Sequence, residues 1–320
     1  MIDFVSKRGL FFIISTILIV PGLISLLLPG GLRAGIDFTS GSVVMLRPNQ
    51  PVEQADMRQA FADLGHSEAI VQRSDDLYLV RTFPLAAEVR NAEGDVTEPS
   101  ERHTLEEGLD RRFGGVEILA FDSVSPLLAT EVVHKSILAV IAACAGILLY
   151  LWFAFRSVER SWRYGVCAVA ALVHDAVLLI GVFSLLGRFT TIEFDALFIT
   201  ATLTVIGFSV QDTIVVFDRI RENLQRNPGE QFGTIVNHAL AQTLVRSIAT
   251  SITTLLVMVA LFLFGGVTIR PFVLALLIGV VSGTYSSIFN ASMLLVVWEN
   301  GELFRIFGRR HSPSAVPVAA

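Results

Sequence analysis

Four stretches of this 320-residue chain contain no Asp, Glu, Lys or Arg over 20 residues or more. They lie between Arg8 and Arg33, Lys135 and Arg156, Arg246 and Arg270, and Arg270 and Glu299. A helix needs about 20 apolar residues to cross the hydrocarbon core of a bilayer. Two further blocks, between Arg163 and Arg188 and between Asp195 and Asp218, are as long but carry charges inside them. The sequence therefore predicts an α-helical membrane protein with six transmembrane helices.

The predicted spans have approximate boundaries that leave one large segment between the first two spans. They are Leu10–Leu28, Ser136–Phe155, Tyr164–Leu186, Ala196–Phe217, Arg246–Phe264 and Pro271–Trp298. The first is longer than the roughly 7–15 apolar residues of a signal peptide, so we interpret it as an uncleaved anchor. The segment Asp218–Val245, charged first and amphipathic later, is typical of a helix lying along the cytoplasmic interface.

Lys and Arg residues between the predicted spans indicate the orientation of the chain. With a cytoplasmic N-terminus, the two short outside loops contain only Arg188 and Arg270. The inside segments carry eleven basic residues: Lys7, Arg8, Arg156, Arg160, Arg163, Arg219, Arg221, Arg226, Arg305, Arg309 and Arg310. Cytoplasmic loops of membrane proteins carry this excess of basic residues. We therefore expect a multi-pass protein of the cytoplasmic (inner) membrane, in contact with its lipid and with both termini in the cytoplasm.

The predicted organisation has four parts. Residues 1–29 form the N-terminus and first span, 30–133 an extracytoplasmic domain, 134–298 spans two to six, and 299–320 a cytoplasmic tail. The domain holds 18 acidic and 9 basic residues, whereas the rest of the chain has a positive balance. An acidic domain beside a basic membrane part argues against nucleic acid as a partner.

The extracytoplasmic domain has a pattern of strands and helices in the order βαββαβ, which is the ferredoxin-like arrangement of an α+β domain. The predicted elements are strands at Ser42–Arg47, Ala69–Arg73, Leu77–Phe83 and Val116–Val124 and helices at Val52–Leu64 and Glu101–Phe113. The polar segment Glu88–Ser100 predicts a mobile loop. The domain has no cysteine, so neither a disulfide framework nor a Cys-based metal site is expected there.

Ionisable residues inside the spans are the candidate functional residues, because each costs at least about 2.5–3.5 kcal/mol on insertion scales. Asp212 lies in the fourth span among Thr, Ser and Gln residues, which favours a face towards other helices or water over lipid. The alternative is an aspartate that reaches the nearby interface.

His174 and Asp175 are adjacent near the middle of the third span. A proton relay and a structural interhelical hydrogen bond are both compatible with the pair. Arg246 opens the fifth span, where composition alone favours an interfacial positive residue. Asp212 and Arg246 fall at similar depth on consecutive spans, so an ion pair between them is geometrically allowed. The small residues of the sixth span favour a helix-packing surface.

No energy-supplying site is visible in the sequence. The chain contains two lysines, Lys7 and Lys135, and neither follows a glycine-rich nucleotide loop. We find no catalytic motif and expect no enzyme activity, cofactor or metal. Work by this chain would draw on the membrane gradient, where one proton falling through 100 mV releases about 2.3 kcal/mol. A carboxylate that alternates between charged and protonated forms, with Arg246 stabilising the charged form of Asp212, would use that gradient.

Four motifs resemble the SecF family of the bacterial Sec protein-export machinery over nearly the full length. Gly35–Gly41, GIDFTSG, is similar to the family's GIDFxGG, with Ser40 in place of a glycine, and Ala171–Asp175 is similar to its third-span signature. Thr204–Asn223 resembles its fourth-span block, with Gln211 where Asn is usual. Gln242–Arg246 resembles its QTLxR, with Val245 where Ser is common.

The resemblance implies a partner, an energy source and residue roles. SecF pairs with a SecD-like subunit in an RND-like, pseudo-symmetric unit that associates with the SecYEG translocon and promotes export of polypeptides with the proton motive force. The essential fourth-span aspartate of the family matches Asp212, and its fifth-span arginine matches Arg246, which reverses the interfacial interpretation of Arg246. For His174 and Asp175 both alternatives stay open.

Two other functions are compatible with the sequence. An RND-type exporter of a small molecule or lipid would need a substrate cavity and larger outside domains than one of about 100 residues. A passive scaffold that stabilises other translocon subunits would not need charges at Asp212 and Arg246. The tests below separate these alternatives from proton-coupled export.

Overall fold

The computed structural model describes residues 3–74, 76–86, 89–90, 96–98, 100–156, 160–190 and 192–302. Within these residues the chain forms two compact units. The membrane unit contains the described parts of Met1–Leu32, Ala139–Ile192 and Leu197–Ala320, and the second unit contains Arg33–Leu138 with Glu193–Ala196.

The secondary structure alternates from membrane helices to a small sheet and back. The helices are α1 (Arg8–Leu27), α2 (Ile36–Thr39), α3 (Gln54–Asp63), α4 (Glu101–Phe113), α5 (Pro126–Ala154), α6 (Trp162–Phe189), α7 (Ala196–Arg226), α8 (Phe232–Phe264), α9 (Arg270–Tyr285) and α10 (Ser292–Glu299). The strands are β1 (Gly41–Pro48), β2 (Ile70–Ser74), β3 (Leu77–Thr82), β4 (Val89–Arg90), β5 (Val96–Glu98) and β6 (Val116–Val124). A 3-10 turn, Val267–Ile269, precedes α9, and a π-helical segment, Ser286–Ala291, joins α9 to α10.

Within the described ranges, six helical segments are long and apolar enough to cross a membrane, as the sequence predicts. They are α1, α5, α6, α7, α8 and the continuous run from Arg270 to Glu299 that contains α9, the π segment and α10. Mean hydropathy over an 18-residue window ranges from 2.6 in α1 to 1.5 in α7. The low value in α7 reflects the hydroxyl, amide and carboxylate side chains that the site uses.

The predicted interfacial helix at Asp218–Val245 is wrong. Helix α7 continues to Arg226, and α8 begins at Phe232 and runs without interruption to Phe264. The apolar positions that suggested an interfacial face belong instead to the core of the membrane unit. They include Ile220 on α7 and Ile235, Val236, Ala239 and Leu240 on α8. The segment is therefore a helical hairpin, because its apolar side chains bury against each other.

Small residues bring the membrane helices into close contact. A Cβ atom added to Gly22 of α1 would lie 2.5 Å from the Cα of Gly181 of α6, so these two backbones touch. On α9, a Cβ atom at Gly279 would lie 2.2 Å from Cγ2 of Val205 on α7. Close approach through glycine is the usual basis of helix association in membranes, where apolar side chains gain little over lipid.

The C-terminus of α1 is held by Arg188 from the last turn of α6. The guanidinium donates hydrogen bonds to the Ser25 carbonyl and hydroxyl, both at 2.8 Å, and to the Leu28 carbonyl at 3.0 Å. The last carbonyls of a helix have no partners within the helix. Arg188 therefore satisfies groups that would otherwise be costly to bury.

The second unit is built on a four-stranded antiparallel sheet in the order β2-β3-β1-β6. Strand β1 pairs with β3 on one side and β6 on the other, with an irregularity in the β6 register between Met45 and Leu46. One face of the sheet packs on α3 and α4. The core comprises Val44, Leu46, Tyr78 and Val80 from the sheet and Met57, Phe61, Leu105 and Leu109 from the helices.

The four predicted long strands and two predicted helices of this unit are present within one or two residues at each end. Helix α4 matches Glu101–Phe113 because its termini carry strong signals. The Ser100 hydroxyl accepts a hydrogen bond from the backbone N–H of His103 at its start. Gly114 follows its end with φ +70°, a left-handed conformation that glycine adopts without strain.

The predicted loop Glu88–Ser100 contains a second, two-stranded sheet instead. Val89–Arg90 pairs with Val96–Glu98 in antiparallel orientation. Valine is enriched in strands, a preference that the polar neighbours in this segment concealed. The rest of the predicted loop, and the predicted tail beyond Glu302, lie outside the described residues.

Candidate functional site

Asp175 of α6 is fully buried, and its carboxylate is surrounded by four hydrogen-bonding groups. The hydroxyls of Ser209 and Ser286 donate to Oδ2 at 2.8 and 2.6 Å. The Ser282 hydroxyl donates to Oδ1 at 2.9 Å, and Nδ1 of His174 lies 3.1 Å from the same oxygen. A carboxylate that receives several hydrogen bonds is in the arrangement that suits its ionised form.

The sixth span supplies much of this shell because its helix changes pitch. Ser282 lies in α9, and Ser286 and Ser287 open the π segment. The Ser287 hydroxyl donates to the backbone carbonyl of Ser209 at 2.7 Å, which ties the segment to α7. Single π turns inside α-helices are rare and are frequent at functional sites. Gly283 permits this approach, because a Cβ there would lie 3.0 Å from the Ser209 Cβ.

His174 connects this shell to the first helix. Its Nε2 lies 3.1 Å from Nδ2 of Asn290, which belongs to the π segment. The Asn290 amide also bonds the Ser15 hydroxyl of α1, with Nδ2 and Oδ1 at 2.7 and 3.1 Å from Oγ. A cavity of about 310 Å³ is lined by Ser15, His174 and Asn290 together with apolar residues such as Phe12 and Leu294. The structure thus brings one side of His174 to the edge of an open space.

Asp212 of α7 has a different environment. The residue is 6% exposed, and its Oδ2 is buried with no hydrogen-bond partner among the described residues. Ser247 of α8 faces this carboxylate, yet the Ser247 hydroxyl also lacks a hydrogen bond within the described part of the chain. An ionised carboxylate without a partner is strongly unfavourable in a dry interior.

The ion pair between Asp212 and Arg246 that the sequence allowed is not formed. No ion pair within 4.0 Å joins Asp212 to any basic group that the structure describes, and Arg246 lies on the exposed side of α8. Adjacent helix residues point about 100° apart. Because Ser247 faces Asp212, its neighbour Arg246 points away.

Polar residues form an exposed stripe on each of α7 and α8. The stripe on α7 consists of Thr204, Gly207 and Gln211, and that on α8 of Gln242, Arg246, Thr250 and Thr253. Spacings of three and four residues place each set on one helix face. We call these two rows the polar stripes. Amide and guanidinium groups are costly against lipid, so such faces in spans usually meet protein or water.

The motif Gly35–Gly41 packs on the connection that leads into α7. The backbone of Gly35 donates to the Phe194 carbonyl at 2.6 Å, and Asp37 Oδ2 accepts from the N–H of Ala196, the first residue of α7, at 2.8 Å. A carboxylate at a helix N-terminus interacts favourably with the helix dipole. The rings of Phe38 and Phe194 lie 4.9 Å apart.

Glu193 of this connection pairs with Arg81 of β3 at 2.5 Å. Burial raises the pKa of the Glu193 carboxyl, and the adjacent Arg81 guanidinium opposes that shift. The pair therefore fixes the connection to the sheet of the second unit.

Of the residues that the sequence singled out, His174 and Asp175 meet in one network, whereas Asp212 and Arg246 do not meet. No sequence pattern identified Ser209, Ser282, Ser286 and Asn290 as partners of the third-span pair. The small residues of the sixth span predict a packing surface, which holds for Gly279 and Gly283. The hydroxyls among them were a signal that could have identified the network.

A metal centre is not indicated. Among the described residues, no group of three or more His, Cys, Asp or Glu side chains could hold a metal ion.

These features define a class of protein: a multi-pass membrane protein with buried acidic residues in its spans and a small sheet domain inserted after the first. Comparison with known proteins identifies the family. The family model "Protein export membrane protein SecD/SecF, C-terminal" matches residues 105–301. The chain belongs to the SecD/SecF family and is accordingly a multi-pass protein of the inner membrane.

Relatives named "Protein translocase subunit SecF" match almost the entire chain. The protein from Thermobaculum terrenum is 50% identical over 316 residues, covering 98% of this chain and 99% of that protein. The protein from Anaerolinea thermophila is 40% identical over 319 residues, covering 98% and 100% of the two chains. These relatives confirm the resemblance to SecF, and they carry the name of a translocase subunit rather than an enzyme.

A solved structure shares the fold. The crystal structure of SecDF from Thermus thermophilus, described as a translocon-associated membrane protein, superposes with a TM-score of 0.78 at 32% identity. The match covers 93% of this chain and 39% of the SecDF chain. This chain therefore spans about two-fifths of that protein.

Proposed function

We propose that this chain is a SecF subunit that works with a SecD-like subunit and uses the proton motive force to promote export of polypeptides through the SecYEG translocon. The observation that carries the proposal is the Asp212 carboxylate, which is buried in a span and has one oxygen without a hydrogen-bond partner in the described part of the chain. Two acidic sites in the spans, Asp212 and the His174–Asp175 pair, are the proposed proton-coupling residues, and Arg246 modulates the charge of the first.

The chemistry of Asp212 supports proton binding. In the arrangement described, the carboxylate has no cation beside it, which suits its neutral, protonated form. A rearrangement that brought Arg246 or a cation of the partner subunit against Asp212 would stabilise the charged form and release the proton. Alternation between these arrangements would couple proton flow to helix movement.

The polar stripes support a SecD-like partner. Within the described residues the side chains of Gln211 and Arg246 form neither a hydrogen bond nor an ion pair, and space beside Gly207 is open. A partner helix with small or polar residues would fit against this face. The same contact would supply the second half of the proton site.

We further propose that the second unit is a ferredoxin-like domain that lies outside the cytoplasm and contacts the exported polypeptide. The strand order β2-β3-β1-β6 with all neighbours antiparallel, and the order βαββαβ of its main elements, support this assignment. The contact between Asp37 and Ala196 supports transmission of motion, because α7, which carries Asp212, begins there. The basic residues near the spans support cytoplasmic termini.

The experiment is a comparison of Asp212→Asn with Asp218→Asn in proteoliposomes that contain the chain, a SecD-like subunit and the translocon. Asn keeps the size of the side chain but binds no proton, so we expect Asp212→Asn to lose the gradient-dependent part of export. Asp218 lies on the same helix, is exposed and pairs with Arg221 at 2.9 Å, which makes it a matched control. We expect Asp218→Asn to export normally.

The measurement is the rate at which the polypeptide accumulates inside these proteoliposomes under a proton gradient, with and without an uncoupler. Undiminished uncoupler-sensitive export by Asp212→Asn would reject proton coupling at this residue. It would favour the passive scaffold. Proton-driven release of a lipid or small molecule without any effect on polypeptide export would favour the RND-type exporter.

A further inference from the structure

The hydrogen-bond pattern around His174, with the Asn290 amide oriented as in this structure, corresponds to one protonation state of the imidazole. Asn290 Nδ2 is a donor with no lone pair to offer, and it faces His174 Nε2 at 3.1 Å. Nε2 must therefore accept, which leaves the proton on Nδ1, where it points to Asp175 Oδ1 at 3.1 Å. The tautomer and the amide orientation are assigned from this network. The pair is a neutral imidazole beside an ionised carboxylate.

That pair carries a net negative charge inside a span, and one proton would remove it. The proton would add to the lone pair of Nε2 and convert the imidazole to imidazolium, with no other bond made or broken. The product is an imidazolium–carboxylate pair of zero net charge. Besides Asp175, the contacts of this histidine and its partners in the described residues carry no formal charge: Ser209 on α7, Ser282 and Ser286 on the sixth span, and Ser15 on α1, whose hydroxyl also faces the phenol of Tyr285.

A protonated Nε2 is incompatible with the present Asn290 orientation, because two donors would then face each other. Rotation of the carboxamide by 180° exchanges its oxygen and nitrogen. Oδ1 would then accept from Nε2–H, and the Ser15 hydroxyl, which both donates and accepts, would bond the exchanged amide without moving. The carboxamide and the hydroxyl therefore suit both protonation states of His174.

We propose that Asn290 is a positioning residue for proton uptake by His174, and that the proton arrives through the cavity lined by Ser15, His174 and Asn290. Asn290 donates to the neutral imidazole and accepts from the imidazolium by exchanging the two ends of its amide. The inference rests on the proposed proton-coupled function of the His174–Asp175 pair. It adds a residue and an access route that act at that pair alone, independently of Asp212.

The test is nitrogen NMR of the full-length protein labelled with ¹⁵N-histidine in detergent micelles, over roughly pH 5–9. Imidazole nitrogen shifts report both tautomer and charge. The chain has six histidines, and His174→Gln identifies the signal of interest. The variants are Asn290→Leu, which can neither donate nor accept, and Asn290→Asp, which can only accept when ionised. The control is Ser292→Ala, two residues away, whose buried hydroxyl has no partner among the described residues.

We expect wild-type His174 to change from the neutral Nδ1–H tautomer to imidazolium within this range. In Asn290→Leu, His174 should remain neutral over the whole pH range, and in Asn290→Asp it should remain imidazolium. In Ser292→Ala, His174 should titrate as in the wild type. Circular dichroism melts identify any variant that fails to fold. If Asn290→Leu fails to fold, the isosteric Asn290→Asp still tests the inference.

Two results would overturn the inference: titration of Asn290→Leu at the same pH as the wild type, or a wild-type His174 that never gains a proton. Neither result bears on Asp212. A wild-type His174 that never gains a proton would also remove the His174–Asp175 pair from the proposed proton-coupling residues, whereas titration of Asn290→Leu like the wild type would overturn the inference alone. The role of Asp212 is tested by export, which the NMR experiment does not require, so the two failures are distinguishable.

Discussion

The spans contain two buried aspartates with opposite surroundings. The Asp175 carboxylate receives three serine hydroxyls and faces a histidine, whereas one oxygen of the Asp212 carboxylate has no hydrogen-bond partner among the residues that the structure describes. Both lie in helices that also carry apolar core residues, so burial alone does not distinguish them. The difference lies in the number of hydrogen-bond donors that the neighbouring helices place beside each carboxylate. A carboxylate with all its hydrogen bonds made stabilises one helix arrangement. A carboxylate that lacks partners leaves the arrangement free to change when a proton or a cation arrives.

The largest expected effect comes from removing the fully hydrogen-bonded carboxylate, Asp175. Asp175→Ala would leave three buried hydroxyls without their acceptor, and each unmet group costs about 1–3 kcal/mol. Since Ser209 and Ser286 have alternative acceptors nearby, we expect a loss of about 3 kcal/mol in the free energy of unfolding. Reversible unfolding in mixed micelles measures it, with Asp218→Ala as control. A change as small as that of the control would mean that the shell does not hold these helices together.

A smaller effect is expected from separating the two helices that build the shell. Gly279→Ala would place a methyl group 2.2 Å from Val205 Cγ2, and overpacking of this kind costs about 1–3 kcal/mol. Gly207→Ala on α7 is the matched control, because nothing lies within 4 Å of a Cβ there. The same unfolding assay compares them. Equal stability of the two variants would contradict the close contact of α7 and α9.

For substitution of Asp212, the aspartate that lacks hydrogen-bond partners among the described residues, we expect almost no loss of stability. Asp212→Asn removes no hydrogen bond or ion pair that the described residues form with Oδ2, so the free energy of unfolding should change by less than about 1 kcal/mol. Gradient-dependent export should nevertheless disappear. A destabilisation as large as that of Asp175→Ala would show that the two sites are both structural and would remove the contrast between them.

The smallest effect is expected in the second unit, where the Thr82 hydroxyl donates a hydrogen bond to the Glu68 carboxylate. The Thr82 hydroxyl, which donates to Glu68 at 2.6 Å, lowers the pKa of that carboxyl. A depressed pKa adds stability above the unfolded value of 4.5, and this stability is lost as the pH falls through the folded value. Thr82→Val should raise the pKa of Glu68 towards its ordinary value and flatten the loss of stability on acidification.

Carboxyl NMR of the full chain measures the Glu68 shift. Because Glu68 is partly exposed, solvent screening should keep the change in unfolding free energy below about 1 kcal/mol. No movement of the Glu68 pKa in Thr82→Val would show that the hydroxyl contact has no energetic weight.

The spans and the sheet could be predicted from the sequence because their signals are local. Four blocks without charge and two long apolar blocks with few charges located the six membrane helices, and alternating or capped segments located α3, α4 and the long strands. The helical hairpin at Asp218–Val245 was misassigned, since periodicity reports an apolar face without saying what that face covers. The strands β4 and β5 were missed because they are only 2 and 3 residues long and lie within a polar segment.

The site was only half predictable. Charge inside a span pointed to Asp212, His174 and Asp175, but their partners are set by tertiary packing. Ser209 and Ser286 belong to different helices, and a stretch of small residues predicts close packing without showing where each hydroxyl points. The orientation of Arg246 likewise depends on a helix rotation that no local pattern encodes.

The π segment has a consequence for the last turns of the sixth span. A π turn holds one more residue than an α turn, so the chain after it stands about 100° out of phase with the path that an unbroken α-helix would take. If the π turn moved by one residue along the helix, the helix residues after it would rotate and shift by about 1.5 Å along the axis. The Ser286 hydroxyl, which donates to Asp175, and the Ser287 hydroxyl, which donates to the Ser209 carbonyl, hold the extra residue at this position. One of these two bonds ends on a carboxylate, so a change in the charge of Asp175 would act where the extra residue lies.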